Sequence, residues 1–572
     1  MPQQFDYLII GGGSAGCALA GRLSEDPSVQ VALLEAGGRG DGMLVTTPLA
    51  VIAMLPTKIN NWAFETVPQT GLNGRRGYQP RGKALGGTSA INAMVYTRGH
   101  RSDYDHWASL GNVGWGFDDV LPYFKRSERN TRGADEFHGD DGPLDVDDLR
   151  TDSPYHEIYR RAAGEAGFAL NTDFNGAEQE GLGTYQVTQV NGERCSAARA
   201  YVLPHVVTRP NLRVLTETRA QRILFKGKRA VGVEMLRGRR RETLHARREV
   251  VVSAGAFQSP QLLMLSGIGD GEQLQRHGIP TLHHLPGVGQ NLQDHIDFIF
   301  GYQVDSLDLL GVSPRGTLRM LREVGRYRRA RRGMLTTNFA ECGGFLKLSA
   351  ESPAPDLQLH FVVGIVDDHA RKLHFVHGLS CHVCLLRPKS RGSVTLATAN
   401  AADPPLIDPA FYAEADDLER MVEGYKLTRR LLEAPSLSSL YKKDLFTAGV
   451  QSDDQIRDVL RNRGDTVYHP VGSCKMGVDP LAVVDSELRV HGIEGLRVVD
   501  ASIMPTIIGG NTNAPTIMIG EKAADLMRKA QKAPKAPKTP RAAKVPRTAK
   551  APRVAKAPRA PRAPKTPKSL KG

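Results

Sequence analysis

The chain has 572 residues, of which 40% are hydrophobic and 24% charged, as is usual for a globular protein. This length exceeds what a single hydrophobic core fills, so we expect two or more packed domains. Six scattered cysteines exclude a dense disulfide framework, and the apolar runs fall short of the roughly 20 residues that cross a bilayer. These features favour a reducing compartment, and we expect a cytoplasmic protein.

The first 36 residues predict a strand over 5–10, a helix over 15–23 and a second strand over 29–35. The turn between the first strand and the helix is glycine-rich, and we call it the glycine loop: Gly11-Gly12-Gly13-Ser14-Ala15-Gly16. In such a βαβ unit the glycines permit a tight turn, an approach to a pyrophosphate and close packing of helix on strand. The loop therefore predicts a dinucleotide site.

Glu35 stands at the end of the second predicted strand, where a carboxylate accepts hydrogen bonds from the ribose of a dinucleotide. We assign Gly11, Gly13, Ser14, Ala15 and Gly16 to the pyrophosphate side of this site, and Glu35 and Ala36 to the ribose side. The pattern alone leaves both NAD and FAD open.

Further strands are predicted over 212–215, 230–235, 249–253 and 496–499, so the α/β domain is discontinuous in sequence. Alternating apolar and polar residues over 356–361 and 392–396 predict an antiparallel sheet between about residues 300 and 480.

The formal charge of +14 lies in the last part of the chain. From Lys532 to Lys571 every third residue is Lys or Arg, 14 in all, without an acidic residue, so the remainder is formally neutral. This composition cannot bury enough apolar surface to offset the entropy of ordering, and we expect 531–572 to be disordered. Without aromatic or base-reading groups, the tail predicts nonspecific contact with polyanions or an anionic membrane, and no sequence-specific nucleic acid.

Three long segments resemble signatures of the glucose-methanol-choline (GMC) oxidoreductase family, and the resemblance runs from about residue 4 to 530. The segments are 82–92 (GKALGGTSAIN), 255–269 (GAFQSPQLLMLSGIG) and 286–295 (PGVGQNLQDH). The resemblance implies FAD as the cofactor and an α/β fold with a discontinuous Rossmann-like FAD-binding domain beside a substrate domain that contains an antiparallel sheet.

The resemblance also implies domain boundaries. Residues 1–305 would be mainly the FAD-binding domain, with substrate-domain insertions around 40–80 and 130–200. Residues 306–484 would bind substrate, 485–530 would return to the FAD domain, and 531–572 would form the tail.

Additional cofactor contacts are implied by position within the family's motifs. Backbone around the glycine pair would pass against the flavin, and the helix that begins near Asn513 would direct its positive end at the flavin ring. The implied contacts are Leu85, Gly86, Gly87, Asn92, Ala93, Met94, Val95, Ala220, Asp500, Ala501 and Asn513.

His469, in the segment Tyr468-His469-Pro470, occupies what resembles the family's catalytic-base position. Oxidation of an alcohol requires removal of its hydroxyl proton, and a histidine suits that role near neutral pH. The family places a second histidine or an asparagine opposite this base, and here the residue is Asn511. An amide orients an oxygen but cannot act as a base, so proton transfer falls on His469 alone.

Three other signals are interpreted as structural. Cys381 and Cys384 have metal-ligand spacing, but in a strand their sulfurs point to opposite faces, and we expect no metal site. A group of histidines near Asp367 is interpreted as substrate-domain surface: His360, His369, His374, His377 and His382. The arginine-rich stretch 317–332 is interpreted as a helix with a solvated face, with contact to an anionic membrane as the alternative.

The functional prediction is an FAD-dependent dehydrogenase that oxidises a primary, aliphatic alcohol to an aldehyde and passes electrons to a quinone or another acceptor. Such an enzyme would be cytoplasmic or peripheral to the inner membrane. Choline dehydrogenase is the alternative within the family, although three tryptophans offer no evident aromatic cage for a quaternary ammonium. A polyanion-binding protein that acts through the tail is the alternative of another class.

Overall fold

A computed structural model of the chain describes residues 3–532 and 558–565. Residues up to Arg528 form one compact unit, and the residues from Lys529 belong to a second. In the second unit, the described residues are the end of the last helix and residues 558–565. Residues 558–565 are exposed and carry no regular secondary structure. The predicted disorder of 531–572 therefore falls mostly outside the described residues.

The glycine loop stands between a strand and a helix, as predicted. The first strand is Gln3–Ile10, the helix is Ser14–Leu23 and the second strand is Val31–Leu34. Residues 5–10 of the first strand and the whole of the second are buried and, apart from Asp6, apolar, which is the pattern of parallel strands covered on two faces.

These strands belong to a seven-stranded sheet, which we call the first sheet. In spatial order six of its strands are Leu212–Leu215, Val31–Leu34, Gln3–Ile10, Arg240–Val252, Arg229–Arg237 and Thr218–Lys226. The seventh strand, Leu496–Val498, pairs in parallel with the end of Arg240–Val252. The strands Gln3–Ile10, Val31–Leu34 and Arg240–Val252 pair in parallel, and Arg240–Val252, Arg229–Arg237 and Thr218–Lys226 form an antiparallel meander. The sheet therefore combines strands from three distant stretches of the chain. The predicted discontinuous α/β domain is thus confirmed.

A second seven-stranded sheet is antiparallel throughout, and we call it the second sheet. In spatial order six of its strands are Tyr441–Asp444, Ile296–Val304, Gly378–Leu385, Leu357–Val362, Ala340–Leu346 and Gly181–Thr184. The short strand Asp465–Thr466 also pairs with Ile296–Val304. The antiparallel sheet predicted for this part of the chain is confirmed, although one strand comes from the earlier segment 181–184. The predicted strand over 392–396 forms Gly392–Thr395 in a separate three-stranded antiparallel sheet.

Alternation along the strands of the second sheet separates its two faces. In Leu357–Val362, the residues Leu357, Leu359 and Phe361 enter an apolar core that includes the helices Tyr155–Glu165 and Ala415–Leu432. The residues between them occupy the opposite face of the sheet. That face is not solvated: it closes one side of an internal cavity that His360 and Val362 line.

The remaining regular elements connect the two sheets or cover them. The other short strands are Phe64–Glu65, Tyr78–Gln79, Glu128–Asn130, Leu144–Val146, Gln189–Val190, Glu193–Arg194, Ile268–Gly269, His283–His284, Gln290–Leu292, Gly392–Thr395 and Leu406–Asp408. The other α-helices are Met43–Thr46, Val51–Met54, Arg101–Ser109, Phe117–Ser127, Ala197–Tyr201, Gly255–Leu265, Gly271–Arg276, Pro314–Ala330, Pro435–Ser438, Asp453–Arg463 and Asn513–Lys532. The short 3₁₀ helices are Pro48–Ala50, Thr70–Leu72, Gly87–Ala90, Met334–Thr336, Asp368–Ala370 and Ala501–Ile503.

Candidate active site

A cavity of about 600 Å³ extends from the glycine loop to the second sheet. Gly11 and Glu35 of the first sheet's loops line it at one end, and His360 and His382 of the second sheet line it at the other. Cavities of this size hold small molecules or cofactors. The site therefore combines residues from both sheets.

The glycine loop requires glycine at two positions. Gly11 has a φ of +107°, and a Cβ on Gly16 would lie 2.0 Å from the carbonyl oxygen of Gly11. That contact leaves no space for a side chain, so the helix Ser14–Leu23 begins directly against the preceding turn.

Two helix N-termini meet at this end of the cavity. The Ser14 hydroxyl donates a hydrogen bond of 2.7 Å to the side-chain oxygen of Asn513, the first residue of the helix Asn513–Lys532. Both residues line the cavity. Because the amide groups and the dipole of a helix N-terminus attract negative charge, the pair forms a place for an anionic group such as a pyrophosphate.

Glu35 lies beside this loop. Its carboxylate accepts hydrogen bonds from the backbone N–H groups of Gly12 (3.0 Å) and Gly37 (2.7 Å). Burial raises the pKa of Glu35 to about 7, although these two donors oppose the shift. The carboxyl group lines the cavity, where a ribose hydroxyl can reach it.

Most residues predicted from the sequence to contact the cofactor line this cavity. They are Gly11, Gly13, Ser14, Ala15, Glu35, Ala36, Gly87, Asn92, Ala93, Met94, Val95, Ala220, Asp500, Ala501 and Asn513. Gly16, Leu85 and Gly86 do not line it. The backbone N–H of Gly86 instead donates a hydrogen bond of 2.7 Å to the carbonyl oxygen of Gly12 and so supports the conformation of the glycine loop.

His469 and Asn511 lie together on the wall of the same cavity. The Asn511 amide nitrogen is 3.1 Å from His469 Nε2. Its side-chain oxygen accepts hydrogen bonds from Gln358 Nε2 (2.8 Å) and from the Thr97 hydroxyl (3.1 Å). These two donors fix the orientation of the amide, so its N–H groups point at His469. The side chain of Asn511 is therefore part of the site.

A second histidine determines which nitrogen of His469 carries the proton. His295 Nε2 lies 3.1 Å from the carbonyl oxygen of Leu386, which can only accept, so this nitrogen is the donor. His295 Nδ1 is then the acceptor for the Nδ1–H of His469, 3.0 Å away. His469 Nε2 consequently bears the lone pair, and it lies beside Asn511 at the cavity.

The environment keeps these histidines neutral. Burial lowers the pKa of His469 well below its ordinary value, with further lowering from His295, His360 and Arg81. Burial also lowers the pKa values of His295 and His360 to about 3. A neutral His469 with its lone pair on Nε2 can accept a proton at that atom.

The backbone of His469 is held from both sides. Its N–H donates to the Asp294 carboxylate at 2.9 Å, and burial raises the pKa of Asp294 to about 6. The preceding residue, Tyr468, has a φ of +76°, and its carbonyl oxygen accepts a hydrogen bond of 2.9 Å from Arg81. A residue other than glycine at positive φ, next to the base, indicates a backbone conformation that the surrounding structure imposes.

Sequence reasoning missed His295 and His360 as parts of the site. His295 follows Asp294 in one of the three signature segments, and that position was the available signal. His360, interpreted as surface, is only 5% exposed and lies 3.5 Å from the Asn511 amide nitrogen. The surface interpretation is also wrong for His382, which is buried and pairs with Asp297 at 2.7 Å, and for His369, which is buried beside Asp465.

Cys381 and Cys384 lie in the strand Gly378–Leu385 and pack into two different apolar clusters. Their sulfurs thus occupy opposite faces of the second sheet, as the strand prediction required.

The cavity fits a dinucleotide with a flavin ring. The converging helix N-termini suit a pyrophosphate, Glu35 suits a ribose, and the base beside Asn511 lines the same cavity. Profiles of the GMC oxidoreductase family match residues 5–297 and 388–520.

Similar proteins agree with that match. The chain is 46% identical over 538 residues to the alcohol dehydrogenase [acceptor] of Pseudomonas putida, covering 92% of this chain and 97% of that one. It is 43% identical over 535 residues to the mitochondrial choline dehydrogenase of Homo sapiens, covering 92% and 90%. The crystal structure of pyridoxine 4-oxidase from Mesorbium loti superposes with a TM-score of 0.83 at 31% identity, covering 92% and 99%.

The chain therefore belongs to the GMC oxidoreductase family, and it is an FAD-dependent oxidoreductase. The predictions of family, fold class, enzyme class and cofactor are confirmed.

Proposed function

We propose that the protein oxidises a primary aliphatic alcohol to an aldehyde and passes the electrons to a quinone or another acceptor. The observation that carries the proposal is the lone pair of His469 Nε2, held beside the Asn511 amide at the cavity. His469 would accept the hydroxyl proton of the alcohol at Nε2. Asn511 would donate a hydrogen bond to the alcohol oxygen and so fix its position.

FAD, when bound, supplies the acceptor for the hydride that leaves the alcohol carbon. The predicted cofactor residues that line the cavity would hold it. Ser14 and Asn513 would lie at the pyrophosphate, and Glu35 would lie at the ribose. The positive end of the helix Asn513–Lys532 would stabilise negative charge on the bound cofactor during the reaction.

The lining of the cavity supports an aliphatic substrate. The lining includes the apolar side chains of Leu310, Met320, Val362 and Ile365. An alcohol with an alkyl chain would lose its apolar hydration shell on entering such a space, which favours binding.

Choline is the second candidate, because the chain is similar to choline dehydrogenases. Recognition of its quaternary ammonium would require open aromatic faces. Trp107 and Trp115 are fully buried in the core around the first sheet, and the ring of Trp62 is already contacted by Lys83 and Arg219. These tryptophans do not support a choline cage.

A panel of reductants tests the substrate class. Under anaerobic conditions, purified holoenzyme would be mixed with octanol, ethanol, benzyl alcohol or choline, and the loss of the oxidised flavin absorbance would be followed. We expect octanol to reduce the flavin with the highest kcat/KM. A higher kcat/KM for choline would contradict the aliphatic assignment and favour the second candidate.

Replacing His469 tests the base. His469→Ala should slow alcohol-dependent flavin reduction by about 100-fold or more, because general-base catalysis contributes at least that factor. FAD content should stay unchanged. His106→Ala, at an exposed histidine outside the cavity, is the matched control. Equal reduction rates in the two variants would refute the assignment of the base.

Within the described residues 3–532 and 558–565, no helix is both long and apolar enough to cross a membrane. We propose a cytoplasmic enzyme that associates peripherally with the inner membrane, where a quinone is accessible. The basic tail from Lys532 would add salt-dependent attraction to an anionic membrane or another polyanion. Rapid reoxidation of the reduced enzyme by oxygen, without reaction with a soluble quinone, would contradict the proposed acceptor.

A further inference from the structure

The helix Pro314–Ala330, which we call the arginine-rich helix, presents apolar side chains to solvent. One of its faces is buried: Tyr327 packs with Leu49 and Leu335, and Met320 packs against the same cluster. On the opposite face, Leu318 is 54% exposed and Leu321 is 66% exposed. This face is exposed to solvent, as the interpretation from the sequence expects, but it includes these two apolar side chains.

A neighbouring loop adds further exposed apolar groups. The Ser313 hydroxyl, which caps the arginine-rich helix, lies 2.8 Å from His377 Nε2, so the chain segment before His377 lies near the start of the helix. In that segment Leu373 is 68% exposed and Phe375 is 76% exposed. Large apolar side chains from two separate segments thus share one region of the surface.

This region surrounds an opening of the cavity. Ile52, Val312 and Leu373 are exposed, yet all three also line the cavity that contains His469. They therefore mark the place where the cavity reaches the surface. We call this region the mouth face and define it by six residues: Ile52, Val312, Leu318, Leu321, Leu373 and Phe375.

The charge next to these side chains is positive. Arg322, Arg328 and Arg329 are exposed on the outward side of the arginine-rich helix, and none of them has an ion pair or hydrogen bond among the described residues. The helix contains one acidic residue, Glu323, and its buried carboxylate accepts a hydrogen bond from the backbone of Met334. The outward side of the helix thus carries cations without counter-charges.

We propose that the mouth face docks on an anionic phospholipid bilayer and opens the cavity toward the lipid. Exposed leucine and phenylalanine side chains beside unpaired arginines match a membrane interface, where apolar groups enter the acyl region and cations meet the phosphates. This surface differs from the basic tail, in which the only aliphatic side chains larger than alanine and proline are Val545, Val554 and Leu570. The inference deepens the proposed function, because a long-chain alcohol would enter the active site from the bilayer.

Vesicle binding tests the apolar part of the mouth face. Full-length holoenzyme would be cosedimented with phosphatidylglycerol–phosphatidylcholine vesicles. We expect Leu318→Ser combined with Leu321→Ser to weaken binding by about tenfold, since two apolar side chains no longer enter the bilayer. The basic tail is identical in the native protein and in all variants, so differences in vesicle binding between them do not come from the tail. The matched control is Val113→Ser combined with Val478→Ser, two exposed apolar positions that do not line the cavity.

A second pair of variants tests the charge. Arg322→Glu combined with Arg329→Glu should weaken binding to the same vesicles more than Arg239→Glu combined with Arg240→Glu, which makes an equal change in net charge at another exposed site. If the mouth-face variant bound the vesicles as tightly as its matched control in either experiment, the docking proposal would be overturned. Self-association of the native protein that the serine variant abolishes while vesicle binding is unchanged would also overturn it, because the mouth face would then join two copies of the chain.

A kinetic measurement separates this inference from the proposed function. In the leucine-to-serine variant, KM for octanol supplied in vesicles should rise several-fold while KM for ethanol in solution stays constant. Failure of every alcohol to reduce the flavin, with vesicle binding intact, would refute the proposed function and leave the docking surface standing. An unchanged KM for vesicle-borne octanol would refute delivery of substrate from the bilayer.

Discussion

The base at the active site depends on its neighbours as much as on its own identity. His469 is neutral because burial and the nearby histidines disfavour its protonated form. It presents Nε2 to the cavity because His295, fixed by the carbonyl of Leu386, accepts its other N–H. The proton-accepting atom is thus selected by two hydrogen bonds behind the ring.

The lowered pKa of His469 predicts an unusual pH dependence. A histidine with an ordinary pKa near 6.5 would be half protonated at that pH and lose its function as a base below it. Because the pKa of His469 is lowered, its neutral form persists as pH falls. We expect the rate of flavin reduction by octanol to stay nearly constant between about pH 8 and pH 6 in stopped-flow measurements. A half-maximal rate near pH 6.5 would contradict the buried, neutral assignment.

His295 is predicted to act as a positioning residue. His295→Ala removes the acceptor for the Nδ1–H of His469, so the ring loses its fixed tautomer and flavin reduction should slow by about tenfold or more. His295→Gln retains both an acceptor and a donor and should restore part of the rate. FAD content, measured by absorbance, should be equal in both variants. Identical rates for the alanine and glutamine variants would indicate that His295 only fills space.

At the scale of elements, the glycine loop and two helices create the anionic part of the site. The helix Ser14–Leu23 starts against the turn at Gly11, and the helix Asn513–Lys532 starts beside Ser14 through a hydrogen bond to Asn513. Local sequence forms the first helix start, but contact with the second requires the chain to return almost 500 residues later.

Gly16→Ala tests the packing of the loop. The new methyl group would collide with the carbonyl of Gly11, so we expect a loss of about 1–3 kcal/mol in the free energy of unfolding and lower FAD occupancy. Gly164→Ala is the matched control. Gly164 is exposed in the helix Tyr155–Glu165, where an added methyl group would meet no other atom within 4 Å, and alanine there should stabilise the helix by about 0.5–1 kcal/mol. Denaturant unfolding and flavin absorbance would measure both effects, and an unchanged Gly16→Ala protein would refute the close contact.

At the scale of the whole molecule, one cavity lies between residues of both sheets. A ligand that fills it contacts the glycine loop, the segment around Asp500 and, toward the other end, the second sheet. Binding therefore stabilises the native unit as a whole rather than one element.

Thermal unfolding measures this linkage. FAD at about 1,000 times its dissociation constant should stabilise the apoprotein by about 4 kcal/mol and raise Tm. NAD at the same concentration is the control, because the glycine loop alone is compatible with either dinucleotide. An equal rise in Tm with NAD would contradict selective binding of the flavin dinucleotide.

The sequence by itself determined the features that depend on local geometry or on motif position. The glycine loop between a strand and a helix, the concentration of charge after Lys532, and the candidates His469 and Asn511 were accessible from the order of residues. A tight turn, a helix start and a run of like charges each involve neighbouring residues, so a single sequence specifies them.

Only the tertiary structure decided what the faces of the elements contact. Alternation in the strand Leu357–Val362 predicted one polar face, but did not show that His360 on this face meets Asn511 in a cavity. The pattern of the arginine-rich helix likewise did not show that Leu318 points to solvent. The physical reason is that periodicity specifies which side chains share a face, whereas the partner of that face comes from chain segments hundreds of residues away.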